Sequence, residues 1–143
     1  MRDTVYDTSL IVYSNGDLAG RRRNNVLDRR LSRIEEFLSG SRSAWYNDKL
    51  LNEYEAKVHQ RRNDVIDAFL TKLADTGKRA ERSRLSRVNY AKSRAIRWPS
   101  HDQHQLAAAL EGKRTTIFVT EEALARCAAD VKRVFGVTVL RIA

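Results

Sequence analysis

The chain has 143 residues, 42% of them hydrophobic, with one proline and six glycines, a composition that suits a single packed domain and argues against disorder. One cysteine excludes an internal disulfide and a cysteine-rich zinc site, and no apolar run reaches the roughly eighteen residues that a membrane span needs. Lys and Arg number 27 against 18 acids, a net charge of +9 that points to a polyanionic partner, with a merely soluble basic surface as the alternative.

Met1-Arg2-Asp3 is not followed by the apolar segment of a signal peptide, so cytoplasm is the expected compartment. The next stretch, Thr4 to Val12, opens as a buried strand, meets Asp7, and passes through Leu10 to Tyr13 as a helix before the Ser14-Asn15-Gly16-Asp17 turn. Strand, acid, helix is the order that sets a carboxylate at the carboxyl edge of a parallel sheet, where open α/β sheets bind ligands. Asp7 is therefore the candidate centre of a site, and the competing reading is that it caps the helix.

Arg21-Arg22-Arg23 precedes a helix from about Asn24 to Leu38, with Leu27, Leu31, Ile34 and Leu38 at helical spacing and Gly40 as its stop. Ser43 to Tyr46 reads as a second strand, and Asn47 or Asp48 caps the following helix, whose inner face is Leu51, Tyr54 and Val58. Glu53 sits at the margin of that stripe. Arg61 to Asp75 is another amphipathic helix, ended by Gly77. In Lys78 to Arg97, eight of twenty residues are basic, so the spacing reads as one exposed helix presenting Arg79, Arg82, Arg84, Arg87, Lys92 and Arg94 to phosphates.

Pro99 disfavours helix at Trp98, and Ser100 with Gln103 forms a capping-box pattern for a helix that ends near Gly112. Asp102 falls in its first turn, where the helix dipole alone would favour an acid. Thr115 to Val119 is a buried strand closed by Thr120-Glu121-Glu122. A last helix carries Leu124, Cys127, Ala128, Val131 and Val134 inward as far as Gly136, and the strand Val137 to Leu140 follows. Alternating strands and helices make this an α/β domain with a mostly parallel sheet.

Winding the sheet around its first strand would gather Asp7, Glu53, Asp102 and Glu122. Carboxylates so gathered repel, and hard oxygen ligands select Mg²⁺ or Mn²⁺, ions that activate water against a phosphodiester. His101 and His104 read as surface or cap positions, since such ions prefer oxygen. Trp45 and Trp98 could stack bases, although core is the commoner place for a strand tryptophan.

Asp7-Thr8-Ser9, Leu50-Leu51-Asn52-Glu53-Tyr54, His101-Asp102-Gln103-His104 before Leu106 to Leu110, and Ile117 to Glu122 follow one another along nearly the whole chain. In that succession the sequence resembles the PIN-domain nucleases. The resemblance implies a single three-layer α/β/α domain and a Mg²⁺- or Mn²⁺-dependent endoribonuclease. Its catalytic acids would be Asp7, Glu53, Asp102 and Glu122, with Asp7, Asp102 and Glu122 on the metal, and Ser9 and Thr120 would support the first and last of them. RNA is then the expected substrate, with single-stranded DNA as a further possibility. An antitoxin protein is the expected partner, since many stand-alone members are toxins of toxin–antitoxin pairs, and a homodimer is compatible with this. The chain departs from the pattern in carrying Glu122, one methylene longer, where the family commonly has Asp. That casts Glu122 as an outer ligand and Glu121 as replaceable. A catalytically silent module that binds nucleic acid or protein is the alternative.

Overall fold

The computed structural model describes residues 2–16, 25–58 and 60–142. Arg21, Arg22 and Arg23 lie outside the described residues. Five strands form one parallel sheet in the order β3-β2-β1-β4-β5, made by β1 (Arg2–Tyr6), β2 (Arg42–Tyr46), β3 (Lys78–Arg79), β4 (Thr116–Val119) and β5 (Thr138–Arg141). The helices are α1 (Thr8–Ser14), α2 (Asn25–Leu38), α3 (Asp48–Lys57), α4 (Asp64–Thr76), α5 (Arg87–Ala95), α6 (Gln103–Glu111), α7 (Glu122–Ala125) and α8 (Ala128–Phe135). No helix among the described residues is long and apolar enough to cross a membrane.

Parallel neighbours need crossovers, and crossovers are right-handed. The chain steps from β1 outward to β2 and β3, then returns to β4 and β5 on the other side of β1. Right-handed crossings therefore set α1 to α4 on one face and α5 to α8 on the other, with α6 against β1, β2 and β4, and α7 and α8 against β5. This is the three-layer α/β/α arrangement. The reversal of direction falls between β1 and β4, and at such a switch point the loops leaving two adjacent strands diverge and open a crevice.

On the α1–α4 face the core is aromatic. The Tyr6 ring meets those of Phe69, Phe118 and Phe37 at centroid distances of 5.3, 5.7 and 6.5 Å. Its hydroxyl donates to the Arg33 carbonyl at 2.6 Å, and buried Tyr54 donates to the Tyr6 carbonyl. On the opposite face, Ala107-Ala108-Ala109 gives α6 the small side chains that allow it to lie close to the sheet. Trp98 is fully buried, so it is core and unavailable to a base.

Two asparagines lock the loops that the site depends on. Asn47 caps α3 by accepting from the Leu50 N–H (3.0 Å), while its amide donates to the carbonyls of His104 (2.8 Å) and Arg82 (3.1 Å). Asn63 caps α4 through the Ile66 N–H (2.9 Å) and donates to the Ser14 and Gly16 carbonyls.

The basic stretch from Lys78 to Arg97 is not one helix. Lys78 and Arg79 pair with Trp45 and Tyr46 as an edge strand, because the unpaired edge of β2 offers backbone partners that a polar helix could not replace. A loop follows, and α5 begins only at Arg87, capped by Ser86. The expected capping box at Ser100 is not made either. A short 3₁₀ turn (Ser100–Asp102) leads into α6, and Gln103 accepts from the Leu85 N–H at 3.2 Å instead. The last helix is two, α7 and α8, and the second ends on Gly136 in the left-handed conformation at φ 70°.

Candidate functional site

Asp7 leaves β1 still paired with β4, its N–H donating to the Phe118 carbonyl at 3.0 Å, and its own carbonyl accepts from the Leu10 N–H to start α1. Its side chain does not cap that helix. Instead one carboxylate oxygen accepts from the Ser9 hydroxyl and the other from the Gln105 amide, and the residue is only 3% exposed. The capping reading of Asp7 is thus not what its side chain does. Ser9 also lies 2.6 Å from the Thr120 hydroxyl, so both supporting residues stand in one chain of polar contacts with the acid.

Asp102 arrives from the opposite layer at the mouth of α6. It caps nothing with its side chain, and its Oδ1 is 3.5 Å from the same Gln105 Nε2 that serves Asp7. His101 Nε2 lies 3.2 Å from its other oxygen. Glu53, on α3, accepts from the Thr8 hydroxyl at 2.8 Å and sits 2.9 Å from His104 Nε2, an ion-pair distance off the line of an ideal hydrogen bond. His104 is fully buried, so it is neither a surface nor a cap residue.

The fourth acid is where the structure and the motif part. Backbone at Glu121 is still extended (φ −82°, ψ 136°), and α7 starts one residue later. Both glutamates are exposed, but Glu121 lines the cavity with Asp7 and Asp102, whereas Glu122 turns to Arg126 at 3.4 Å. The glutamate lining the cavity at this position is Glu121.

The resulting cavity, of about 470 Å³, is lined by Asp7, Thr8, Ser9, Val12, Tyr13, Glu53, Asp102 and Glu121, with Lys49, Lys57 and His101 as its cationic or titratable border. Burial, opposed by the Ser9 hydrogen bond and reinforced by the charges of Asp102 and Glu121, pushes the Asp7 carboxyl up to about 6. Burial also raises Asp102, and Glu121 and Glu53 add to that against the opposing His101 and His104. Glu53 goes the other way: burial pushes it up, but His104 and Thr8 outweigh this and hold it below the ordinary value.

Among the described residues no three acid, histidine or cysteine side chains close around one point. Asp7 and Asp102 nevertheless share a donor, the Gln105 amide, in the gap between them. Oxygen ligands of this kind suit Mg²⁺ or Mn²⁺, which Mg²⁺ sites commonly hold through one or two carboxylates and complete with water. Asp7 and Asp102 are the residues that would hold such an ion.

The described basic residues singled out in sequence are elsewhere. Arg79 makes a two-pronged pair with Asp48 at 3.0 and 2.9 Å, and Arg82 and Arg84 border a separate hollow beside α6. Arg87, Lys92 and Arg94 are exposed on α5. The cations at the acids are Lys49 and Lys57, whose i, i+4 spacing around Glu53 put all three on one face of α3 and was the signal for them. Gln105 was signalled the same way, three residues beyond Asp102 on α6.

No protein-family model, curated protein or solved structure matches the chain. What the fold and the cavity define is a parallel three-layer α/β protein with an acid-lined cavity at its topological switch point.

Proposed function

We propose that the chain is a divalent-metal-dependent nuclease of PIN-domain type that cuts RNA phosphodiester bonds, acting in the cytoplasm as the toxin of a toxin–antitoxin pair. The observation that carries this reading is the convergence of Asp7, Asp102 and Glu121 at the switch point, where burial and mutual repulsion keep the Asp7 carboxyl at about 6. A cavity that concentrates negative charge in a chain of net charge +9 makes sense if a cation joins it and a polyanion is drawn to it. Bound there, Mg²⁺ or Mn²⁺ supplies an activated water and offsets charge on the phosphodiester as it is cut. Ser9 and Gln105 orient Asp7 for that role, Asp102 completes the pair, and Glu121 adds negative charge beside them. Lys49 and Lys57 attract the phosphate, while Arg82, Arg84, Arg87, Lys92 and Arg94 offer a second basic surface to the rest of the polyanion. Glu53, tied to Thr8 and His104, holds the neighbouring wall in place.

The test is incubation of the purified chain with mixed structured RNAs and single-stranded DNA in Mn²⁺, Mg²⁺ or EDTA. Cleavage is expected with either ion and not in EDTA, and Asp7→Asn is expected to lower it by on the order of 10²-fold or more while the fold holds. Cleavage unchanged in Asp7→Asn would sink the nuclease reading, and binding without cleavage by the native chain would favour the silent module. A small antitoxin-like reading frame beside the gene supports the toxin assignment.

A further inference from the structure

Among the described residues, Tyr13 is the one large aromatic side chain at the acid cavity. It stands one turn beyond Ser9 on α1, so both share the helix face that lines the cavity. The residue is 56% exposed, although a partly apolar side chain of this size is ordinarily drawn into a core. The Arg30 guanidinium lies 5.4 Å from the ring centroid, a cation–π contact that steadies the ring at the surface.

A second hollow, also of about 470 Å³, continues the first. It is lined by Val12, Asn15, Lys57, Gln60 and Arg62, and it shares Val12 and Lys57 with the acid cavity. Its floor is built rather than incidental. Asn15 donates to the Gln60 carbonyl at 2.6 Å and accepts from the Arg62 N–H at 2.8 Å, stapling that segment to the end of α1. α4 begins only at Asp64, which leaves Arg62 exposed on the rim, outside the helix. A path therefore runs from the carboxylates past an exposed aromatic ring and Lys57 to Arg62.

Cationic side chains spaced along a groove, with an aromatic face beside them, match a nucleic-acid strand whose bases are unpaired. A base inside a duplex has no free face to offer an aromatic ring, whereas a single strand stacks one readily. We propose that Tyr13, Lys57 and Arg62 form a binding subsite for single-stranded nucleic acid, with a base stacked on Tyr13 and the flanking phosphates at Lys57 and Arg62. Placing the scissile phosphate at the acids rests on the nuclease reading; the subsite itself does not.

The experiment is fluorescence anisotropy of the full chain in EDTA, so that no cleavage intervenes. The probes are a labelled 12-nucleotide RNA, the DNA strand of the same sequence, a duplex of each, and a strand abasic at its central positions. The single strands are expected to bind at least tenfold tighter than the duplexes, and the RNA and DNA arms show which sugar is preferred. Tyr13→Ala should weaken single-strand binding by roughly 5- to 150-fold, the range for loss of one stacked base, and Tyr13→Trp should restore it. The abasic strand should bind native protein and Tyr13→Ala alike. Lys57→Gln with Arg62→Gln should reduce the salt slope by about 1.4, two phosphate contacts of a single strand. Unaltered affinity in Tyr13→Ala, equal affinity for duplex, or an unmoved salt slope would each overturn the subsite. If native chain binds single strands in this pattern yet cleaves nothing in Mn²⁺, the subsite stands and the nuclease reading falls.

Discussion

At the scale of the residue, the site depends on who donates to Asp7. A carboxylate this buried keeps its charge only if hydrogen bonds replace water, and Ser9 and Gln105 supply one each. Gln105 does more, since its amide reaches both Asp7 and Asp102 while its own carbonyl oxygen, also buried, has no partner among the described residues. A neutral amide between two acids eases their repulsion without removing it, and burial, with the repulsion that remains, holds Asp7 at about 6. Glu121 is the third charge acting on both, and Glu122 is not. Glu121→Gln should therefore weaken Mn²⁺ binding by about tenfold, roughly 1.4 kcal/mol, whereas Glu122→Gln loses only an exposed pair with Arg126 and should change it by less than about twofold. Calorimetric titration of Mn²⁺ into the substrate-free variants checks this. Equal effects, or a larger one from Glu122→Gln, would return the site to the register of the family motif.

At the scale of the element, the parts legible in sequence are those with a strong local signal. Alternating apolar strands and capped amphipathic helices announced the α/β order, and Asp7-Thr8-Ser9 announced the strand end. β3 was hidden because Lys78 and Arg79 carry no strand signal and pair only through the free edge of β2. Which of two adjacent glutamates lines the cavity is set by one residue of backbone at the start of α7, a boundary the sequence pattern does not resolve. The opposite end of the sheet was silent in sequence altogether. There Asp3 accepts from the Ser43 hydroxyl (2.6 Å) and the Lys113 N–H (2.7 Å), with Lys78 at 3.4 Å, clasping β1 to β2 and to the loop after α6. Gly112 fits against this clasp because a Cβ there would lie 2.5 Å from Thr115 Oγ1 and 3.1 Å from Asp3 Oδ2. Burial pushes the Asp3 carboxyl up, but these donors outweigh it and hold it at about 2. An acid held low stabilises the fold above its unfolded value near 3.8, and that contribution is lost as pH falls through about 2. Its full size would be about 2 kcal/mol, which screening at a partly open clasp reduces to about 1. Asp3→Asn should thus cost about 1 kcal/mol at pH 7 by urea unfolding and progressively less as pH falls from about 4 through about 2. A cost independent of pH would assign the clasp to neutral hydrogen bonding.

At the scale of the whole molecule, the sheet sorts charge. A chain of net charge +9 gathers four of its 18 acids at the carboxyl edge, each from a different part of the fold, and leaves the arginines of α5 and its preceding loop on the outside. That sorting follows from topology, because only a reversal beside β1 brings the ends of β1 and β4 together with the mouth of α6. It also fixes how the metal-free fold responds to pH. Asp7 is held at about 6 against an ordinary 3.8, so the folded state binds the proton more tightly than the unfolded chain. Its contribution to stability is fully present below about 4 and is lost as pH rises through about 6, a change of about 3 kcal/mol for a side chain this buried. In EDTA the melting temperature should therefore fall between pH 4 and pH 7. Asp7→Asn, which keeps the shape and removes the charge, should flatten that fall and leave the neutral-pH protein more stable than the native chain. A divalent cation takes over the neutralising role of the proton, so Mn²⁺ should raise the native melting temperature at pH 7.5, do little at pH 4.5, and do little to Asp7→Asn at either pH. A native melting temperature that is flat from pH 4 to pH 7 in EDTA, or a rise with Mn²⁺ of equal size in Asp7→Asn, would show that Asp7 is not the strained centre of this cavity.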